Sequence, residues 1–310
     1  MIVQTEAIGR IVVGTDGSQR ANKAVEWAAD RAVARKLPLL VIYIIPEQPT
    51  VAITMIPQAA QLEREARDQA KQKVNAVVEA VKSKHPGLNV IGVSVEGNPA
   101  YVLSEWSRDA ELVVIGARGQ GGAPMSVRLL GGVSDAVAAH GHGPIAVVSD
   151  DAVDHPGGPV VVGVDDSPEA RAALRLAFEA AEVRGVPVVA VHAYDYGPRE
   201  APWISDPQSA VATKLKEQLA GKVEEVLAEV KEAHPHVPIE IQIVGSRPQD
   251  ALVEASKQAG LVVVGSRGRG GFSGLLLGST SKHVLREAYC PVIVTRGKDE
   301  GTDEASARWL

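Results

Sequence analysis

Two stretches of the chain combine glycine, hydroxyl and arginine residues in a way that suits phosphate. One is Gly265-Ser266-Arg267-Gly268-Arg269-Gly270-Gly271, followed by Gly278-Ser279-Thr280-Ser281. The other is Gly116-Ala117-Arg118-Gly119-Gln120-Gly121-Gly122, followed by Arg128 and then Gly131-Gly132-Val133-Ser134. Glycines let a backbone approach a ligand closely or adopt φ > 0, hydroxyls add donors, and arginines neutralise phosphate charge. A glycine loop that runs into a helix N-terminus also offers backbone N–H groups and the positive end of a helix dipole. Two further stretches carry an acidic residue, Gly14-Thr15-Asp16-Gly17-Ser18 and Gly163-Val164-Asp165-Asp166-Ser167. A carboxylate there could accept from a ribose hydroxyl or a base amino group. This is the layout of a nucleotide site. On pattern alone a second reading stays open, in which such loops are only tight turns. Neither the Walker A spacing nor the dinucleotide Gly-x-Gly-x-x-Gly arrangement after a first strand is present.

The elements that must position these residues come in two sets, because the chain repeats itself. GRIVVGTDGS (9–18) is echoed by GPVVVGVDDS (158–167), LPLLVIY (37–43) by VPVVAVH (186–192), and ELVVIGARG (111–119) by GLVVVGSRG (260–268), each 149 residues on. After Gly119 the offset falls to 147, pairing RLLGGVS with LLLGSTS and GPIAVV with CPVIVT. Each half alternates strand and helix. In the second half, near-continuous apolar strands are expected at 160–164, 187–193, 239–244, 261–265 and 291–295, and helices from Ser167-Pro168 to Gly185, over about 207–233, over about 250–259, and from Ser279. The long helix of the first half places Leu62, Ala66, Ala70, Val74, Val77 and Val81 on one stripe. The expected fold class is α/β: two tandem open parallel five-stranded sheets with helices on both faces, Rossmann-like. In such a sheet the ligand crevice lies at the carboxyl ends of the strands, where strand order reverses. The expected division is 1–149 and 159–297 as domains, 150–158 as an acidic Gly/Pro linker and 298–310 as a loose tail.

Composition excludes several classes. With 45% apolar and 23% charged residues in 310, the chain is too apolar for disorder, and no apolar run approaches a membrane span. The start, MIVQTEAIGR, has no basic or long apolar region, so no secretory signal is expected. A single cysteine, Cys290, excludes an internal disulfide and suits a cytoplasmic protein. A net charge of −6 leaves no excess of cations for nucleic acid.

The halves resemble the universal stress protein family, and the whole chain resembles a tandem, ATP-binding, actinobacterial type, over about 8–149 and 158–296. The ATP-binding subset carries Gly, two residues, Gly, nine residues, Gly, then Ser or Thr, which Gly265, Gly268, Gly278 and Ser279 match in full. The acidic residue of its first strand falls on Asp165 and Asp16. The resemblance implies an adenine nucleotide alpha hydrolase-like fold with sheet order 3-2-1-4-5. It places adenine against the backbone of Ala193 or Ile44, ribose toward Asp165 or Asp16, and the phosphates of ATP, with Mg2+, in the glycine loop. The implied role is nucleotide-dependent regulation of stress response or growth through an unknown protein partner, without catalytic residues. The last strands, 144–148 and 291–295, would join two copies or two chains, as a homodimer or an intrachain pseudo-dimer. A slow adenine-nucleotide hydrolase, or a scaffold with a vestigial first pocket, are the alternatives.

The first copy departs from the pattern. Eleven residues separate Gly119 from Gly131, Pro124 is added, and Gly132 replaces the hydroxyl. Weaker binding, or a smaller ligand, is expected there. Other tempting residues have plainer readings. His140 and His142 lie before a last strand rather than after a first one. His192, in the position of Tyr43, and the tryptophans Trp27 and Trp203 suit packing. Arg118 and Arg267 are as readily solvated as phosphate-bound.

Overall fold

The computed structural model describes residues 4–47, 59–118, 130–153, 155–195, 209–268 and 276–297. Contacts divide the chain into Met1–Asp151 and Ala152–Leu310. The expected tail and the segment around Trp203 lie outside the described residues.

In the first unit a short 3-10 turn (Gln4–Ala7) precedes β1 (Ile11–Thr15), α1 (Gln19–Arg35), β2 (Leu39–Ile45), α2 (Ala59–Lys84) and β3 (Val90–Glu96). Then come α3 (Pro99–Trp106), β4 (Leu112–Gly116), α4 (Gly132–His140) and β5 (Ile145–Val148). All four strand pairings are parallel, in the order β3-β2-β1-β4-β5, with Ile11 opposite both Leu39 and Leu112. Ile11, Val12, Val13, Leu39 and Leu40 are wholly buried, as β-branched and leucine runs must be in a sheet covered on both faces. α1 begins where Ser18 Oγ accepts from the Ala21 amide at 3.1 Å, an N-cap that satisfies an orphan N–H. It ends at Lys36, which takes the left-handed φ of 55°.

The stripe on α2 differs in part from its expectation. Ala70, Val74, Val78 and Val81 are buried, whereas Ala66 is exposed and Val77 only half-buried. A helix of 26 residues spans about 39 Å and the seven-residue β3 about 23 Å. The first turns of α2 therefore overhang the sheet. Gly92 on β3 admits α2 closely, since a Cβ there would lie 2.8 Å from Val78.

The second unit repeats this plan with β6 (Val160–Gly163), α5 (Pro168–Arg184), β7 (Val188–Tyr194), α6 (Ala210–Ala233) and β8 (Ile239–Gly245). α7 (Pro248–Ala255), β9 (Leu261–Gly265), α8 (Ser279–Glu287) and β10 (Val292–Thr295) complete it. Its strands are parallel in the order β8-β7-β6-β9-β10, the implied 3-2-1-4-5. Ser167 caps α5 by accepting from Ala170 at 3.2 Å, and Gly185 ends it at φ 65°. α7 starts and stops earlier than expected. Proline fits the first helical turn at Pro248. At the other end Ser256, whose Oγ donates to Val253 O at 2.6 Å, turns the chain. In each unit β1 or β6 lies between strands reached by opposite crossovers, so order reverses beside β4 and β9. No helix among the described residues is long and apolar enough to cross a membrane.

Candidate functional site

In the second unit the strand ends open into a cavity of about 720 Å3, within the range of small-molecule sites. Gly163, Asp165, Ala193, Gly265, Arg267, Gly268, Gly278, Ser279 and Thr280, all singled out from the sequence, stand on its walls. Val191, Leu219, Pro248, Leu252 and Val264 add apolar wall, and His192, Tyr194 and Asp195 add polar groups. Sequence reasoning missed the apolar ones, because each belongs equally well to the core of its own element.

Each positioned group has a local cause. Gly163 is small because Leu252 of α7 abuts it, 3.2 Å from a would-be Cβ; Gly14 meets Leu103 at 3.2 Å in the same way. The Asp165 carboxylate is oriented by the Ser167 amide, which donates to its Oδ1 at 3.0 Å, and by the Ser167 hydroxyl. Gly268 lies directly over that carboxylate, with a would-be Cβ only 2.6 Å from Asp165 Oδ2. Gly265 lets α5 pass, since its Cβ would be 2.7 Å from Glu169 Cβ.

The two ends of the glycine loop are clasped together. Ser266 is buried; its amide donates to Thr295 O at 2.7 Å, and its carbonyl accepts from the Gly278 amide at 2.7 Å. The Ser281 hydroxyl donates to Gly265 O at 2.6 Å. Ser266 and the Gly278 amide thus hold the loop's neck instead of facing a ligand. α8 begins at Gly278 with no side-chain cap, so the amides of its first turn and its dipole are presented at the cavity wall. Arg267 donates from Nε and Nη2 to Glu169 Oε1 at 2.9 and 2.8 Å, and its side chain stays 43% exposed. Behind it Arg296 donates to Leu276 O at 3.2 Å. Burial and the neighbouring Arg267 charge push the Arg296 pKa down, with Glu169 opposing.

The first unit has the same clasp. Gly131 N donates to Ala117 O at 2.8 Å, and Ser134 Oγ to Gly116 O at 2.7 Å. Ser134 is therefore bound to the strand end. α4 also starts at a glycine, Gly131, without a side-chain cap. Gly132 has open space around it and Val133 is exposed. Asp16 Oδ1 accepts from the Ser18 amide at 2.9 Å, and Ile44, next to the last residue of β2, lies opposite Val95. Arg118 differs most from Arg267. Its side chain is 4% exposed and lies 3.8 Å from Asp150, which Arg20 also approaches at 3.2 Å. Gly119, Gly121, Gly122, Pro124 and Arg128, and Arg269, Gly270 and Gly271 in the second unit, lie outside the described residues.

The other tempting residues have structural partners. His142 Nε2 is 3.2 Å from Glu105, His85 is 3.4 Å from Asp30, and His234 is 2.9 Å from Glu182. Trp27 is buried under Arg31, and Cys290 is buried. Among the described residues no three His, Cys, Asp or Glu side chains cluster to hold a metal.

Known proteins share this architecture. The universal stress protein family model matches residues 7–149 and 158–296. One universal stress protein of Mycobacterium tuberculosis is 35% identical over 306 residues, covering 92% of this chain and 94% of that protein. Another from the same organism is 38% identical over 299 residues, covering 92% and 96%. A crystal structure of an Archaeoglobus fulgidus universal stress protein shares the fold, with a TM-score of 0.67 at 21% identity over 94% of this chain and 99% of that one. Matched in both halves, and along nearly its whole length by tandem relatives, the protein belongs to the universal stress protein family.

Proposed function

We propose that the second domain binds ATP and that the protein acts as a nucleotide-dependent regulator of stress response or growth. The observation that carries this reading is the cavity at the ends of β6, β7 and β9. It joins a carboxylate, a cationic side chain and an uncapped helix N-terminus to apolar walls. Apolar walls suit a base, Asp165 suits ribose hydroxyls, and the first turn of α8 with Arg267 suits phosphates. Mg2+ commonly keeps several waters and takes its remaining ligands from substrate phosphates. The residues present fit that mode, with Ser279 and Thr280 hydroxyls at the phosphate end and no dedicated metal cage among the described residues. When bound, the ion would neutralise phosphate charge.

Binding would leave a regulatory rather than a catalytic protein. Among the described residues His192 is the imidazole on the cavity wall, bonded through Nδ1 to a backbone carbonyl, and Asp165 is held by Ser167. The first domain is proposed to bind nucleotide more weakly, because Arg118 is buried against Asp150.

Calorimetry on nucleotide-stripped protein tests the reading. Binding of ATP is expected, with about a hundredfold loss in Gly268→Glu, whose side chain would displace Asp165 and enter the cavity, and about tenfold in Asp165→Ala. No heat from the unmodified protein, or unchanged affinity in both variants, would refute it.

A further inference from the structure

Beside the proposed nucleotide cavity lies a smaller one of about 320 Å3, between α5 and α6. Four residues wall both: Val164, Asp165, His192 and Leu219. Val164 and Leu219 are apolar, so the polar character of the junction comes from Asp165 and His192. His192 is 8% exposed. Its Nδ1 lies 2.8 Å from the carbonyl oxygen of Val164. A carbonyl can only accept, so Nδ1 must carry the proton, and in the neutral ring Nε2 is left as a bare acceptor. No described side chain donates to Nε2. The backbone just past β6 has thus fixed the tautomer of a buried imidazole at the junction.

A carboxylate and an acceptor nitrogen together favour a ligand edge that carries donors. The phosphates belong at the far end, at the first turn of α8. The part of a nucleotide with adjacent donors, one step in from the phosphates, is the 2′,3′-diol of the ribose. We infer that His192 Nε2 accepts from a ribose hydroxyl beside Asp165, making His192 a specificity-determining residue that selects ribonucleotides over deoxyribonucleotides. This deepens the nucleotide reading and rests on it. The first domain has no counterpart: Tyr43 stands there, its hydroxyl held by Lys73 Nζ at 3.2 Å.

The test compares ATP, 2′-deoxy-ATP and 3′-deoxy-ATP by calorimetry on the whole chain and on two variants. In His192→Asn the side-chain amide can still donate to Val164 O but places no acceptor at the Nε2 position. In His192→Gln the amide oxygen reaches that position. The unmodified protein is expected to bind ATP about tenfold tighter than one of the deoxy analogues, the size of one hydrogen bond. His192→Asn should bind ATP and that analogue alike, and His192→Gln should regain most of the preference. Equal affinity of the unmodified protein for all three, or a full preference surviving in His192→Asn, would overturn the assignment and leave the nucleotide reading standing. Binding of none of the three would overturn both. If the variants fail to fold, the 15N shift of the His192 Nε2 in the unmodified protein decides: ATP should move it and the weaker-binding deoxy analogue should not, and an unmoved or equally moved resonance would overturn the assignment.

Discussion

The loop arginine of the first domain and that of the second occupy equivalent positions, yet each found its carboxylate on a different element. Arg267 is held by Glu169, in the first turn of α5. In the first domain that position on α1 is Arg20, and the carboxylate comes from Asp150, just past β5. Lys23 also joins this cluster, donating to the Asp150 carbonyl. Among the described residues three cations thus surround Asp150, while Glu169 pairs with Arg267 and acts electrostatically on Arg296. The exchange preserves a fixed loop neck but not the accessibility of the arginine. Arg118 is enclosed, whereas Arg267 is nearly half exposed beside a cavity. Two copies of one plan can therefore share a backbone and differ in what their loops can touch.

The largest expected effect breaks the enclosed cluster. Asp150→Ala removes the carboxylate from a buried Arg118, and leaving a buried charge without its partner costs about 3 kcal/mol. Denaturant unfolding should show that loss in the first domain. Glu169→Ala, acting on the more exposed Arg267, should cost the second domain only about 1 kcal/mol. Equal losses would contradict the distinction between the two clusters.

A smaller effect is expected where Gly260 stands in the position of Glu111. There Arg184 donates to His155 O at 3.0 Å, and a Cβ on Gly260 would lie 2.0 Å from Arg184 Nη2 and 2.4 Å from the same carbonyl. Gly260→Ala should destabilise the second domain by about 2 kcal/mol, because a backbone atom must move as well as a side chain. Glu111→Ala in the first domain removes atoms instead of adding them and should cost less in the same unfolding measurement.

The smallest effect concerns pH. Burial pushes the Glu111 carboxyl above its usual 4.5, with Arg35, 3.8 Å away, pulling in the other direction. A carboxyl that holds its proton more tightly when folded lowers stability as pH climbs from about 4.5 through its folded value. Glu111→Gln should flatten that part of the curve for the first domain, with a change below about 1 kcal/mol at neutral pH. Melting temperatures across pH 4 to 7, compared with the unmodified protein, would show whether the slope disappears.

Much of the site was legible beforehand because its carriers are local. Ser167 before Pro168 announces the start of α5 by type and position and caps it as expected, and Ser18 caps α1 in the same way. Asp16 and Asp165 follow apolar runs that end β1 and β6, so their place at the strand ends followed from the strands themselves. Ser266 and Ser134 were less legible. A hydroxyl or amide beside a glycine loop reads the same whether it faces a ligand or the neighbouring strand's carbonyl. The overhang of α2, which exposes Ala66, depends on strand lengths set elsewhere in the chain.

The amino-acid order alone determined the duplication, the alternation of strand and helix, and the pairing of an acidic strand end with a glycine loop. These depend on residue type and on periods of a few residues, which the backbone reads locally. Tertiary structure alone decided which carboxylate each arginine met, and which nitrogen of His192 kept its proton. Glu169 and Arg267 are 98 residues apart, and Val164 and His192 are 28. Contacts at such separations are set by how helices and strands pack in space, and no local period encodes them.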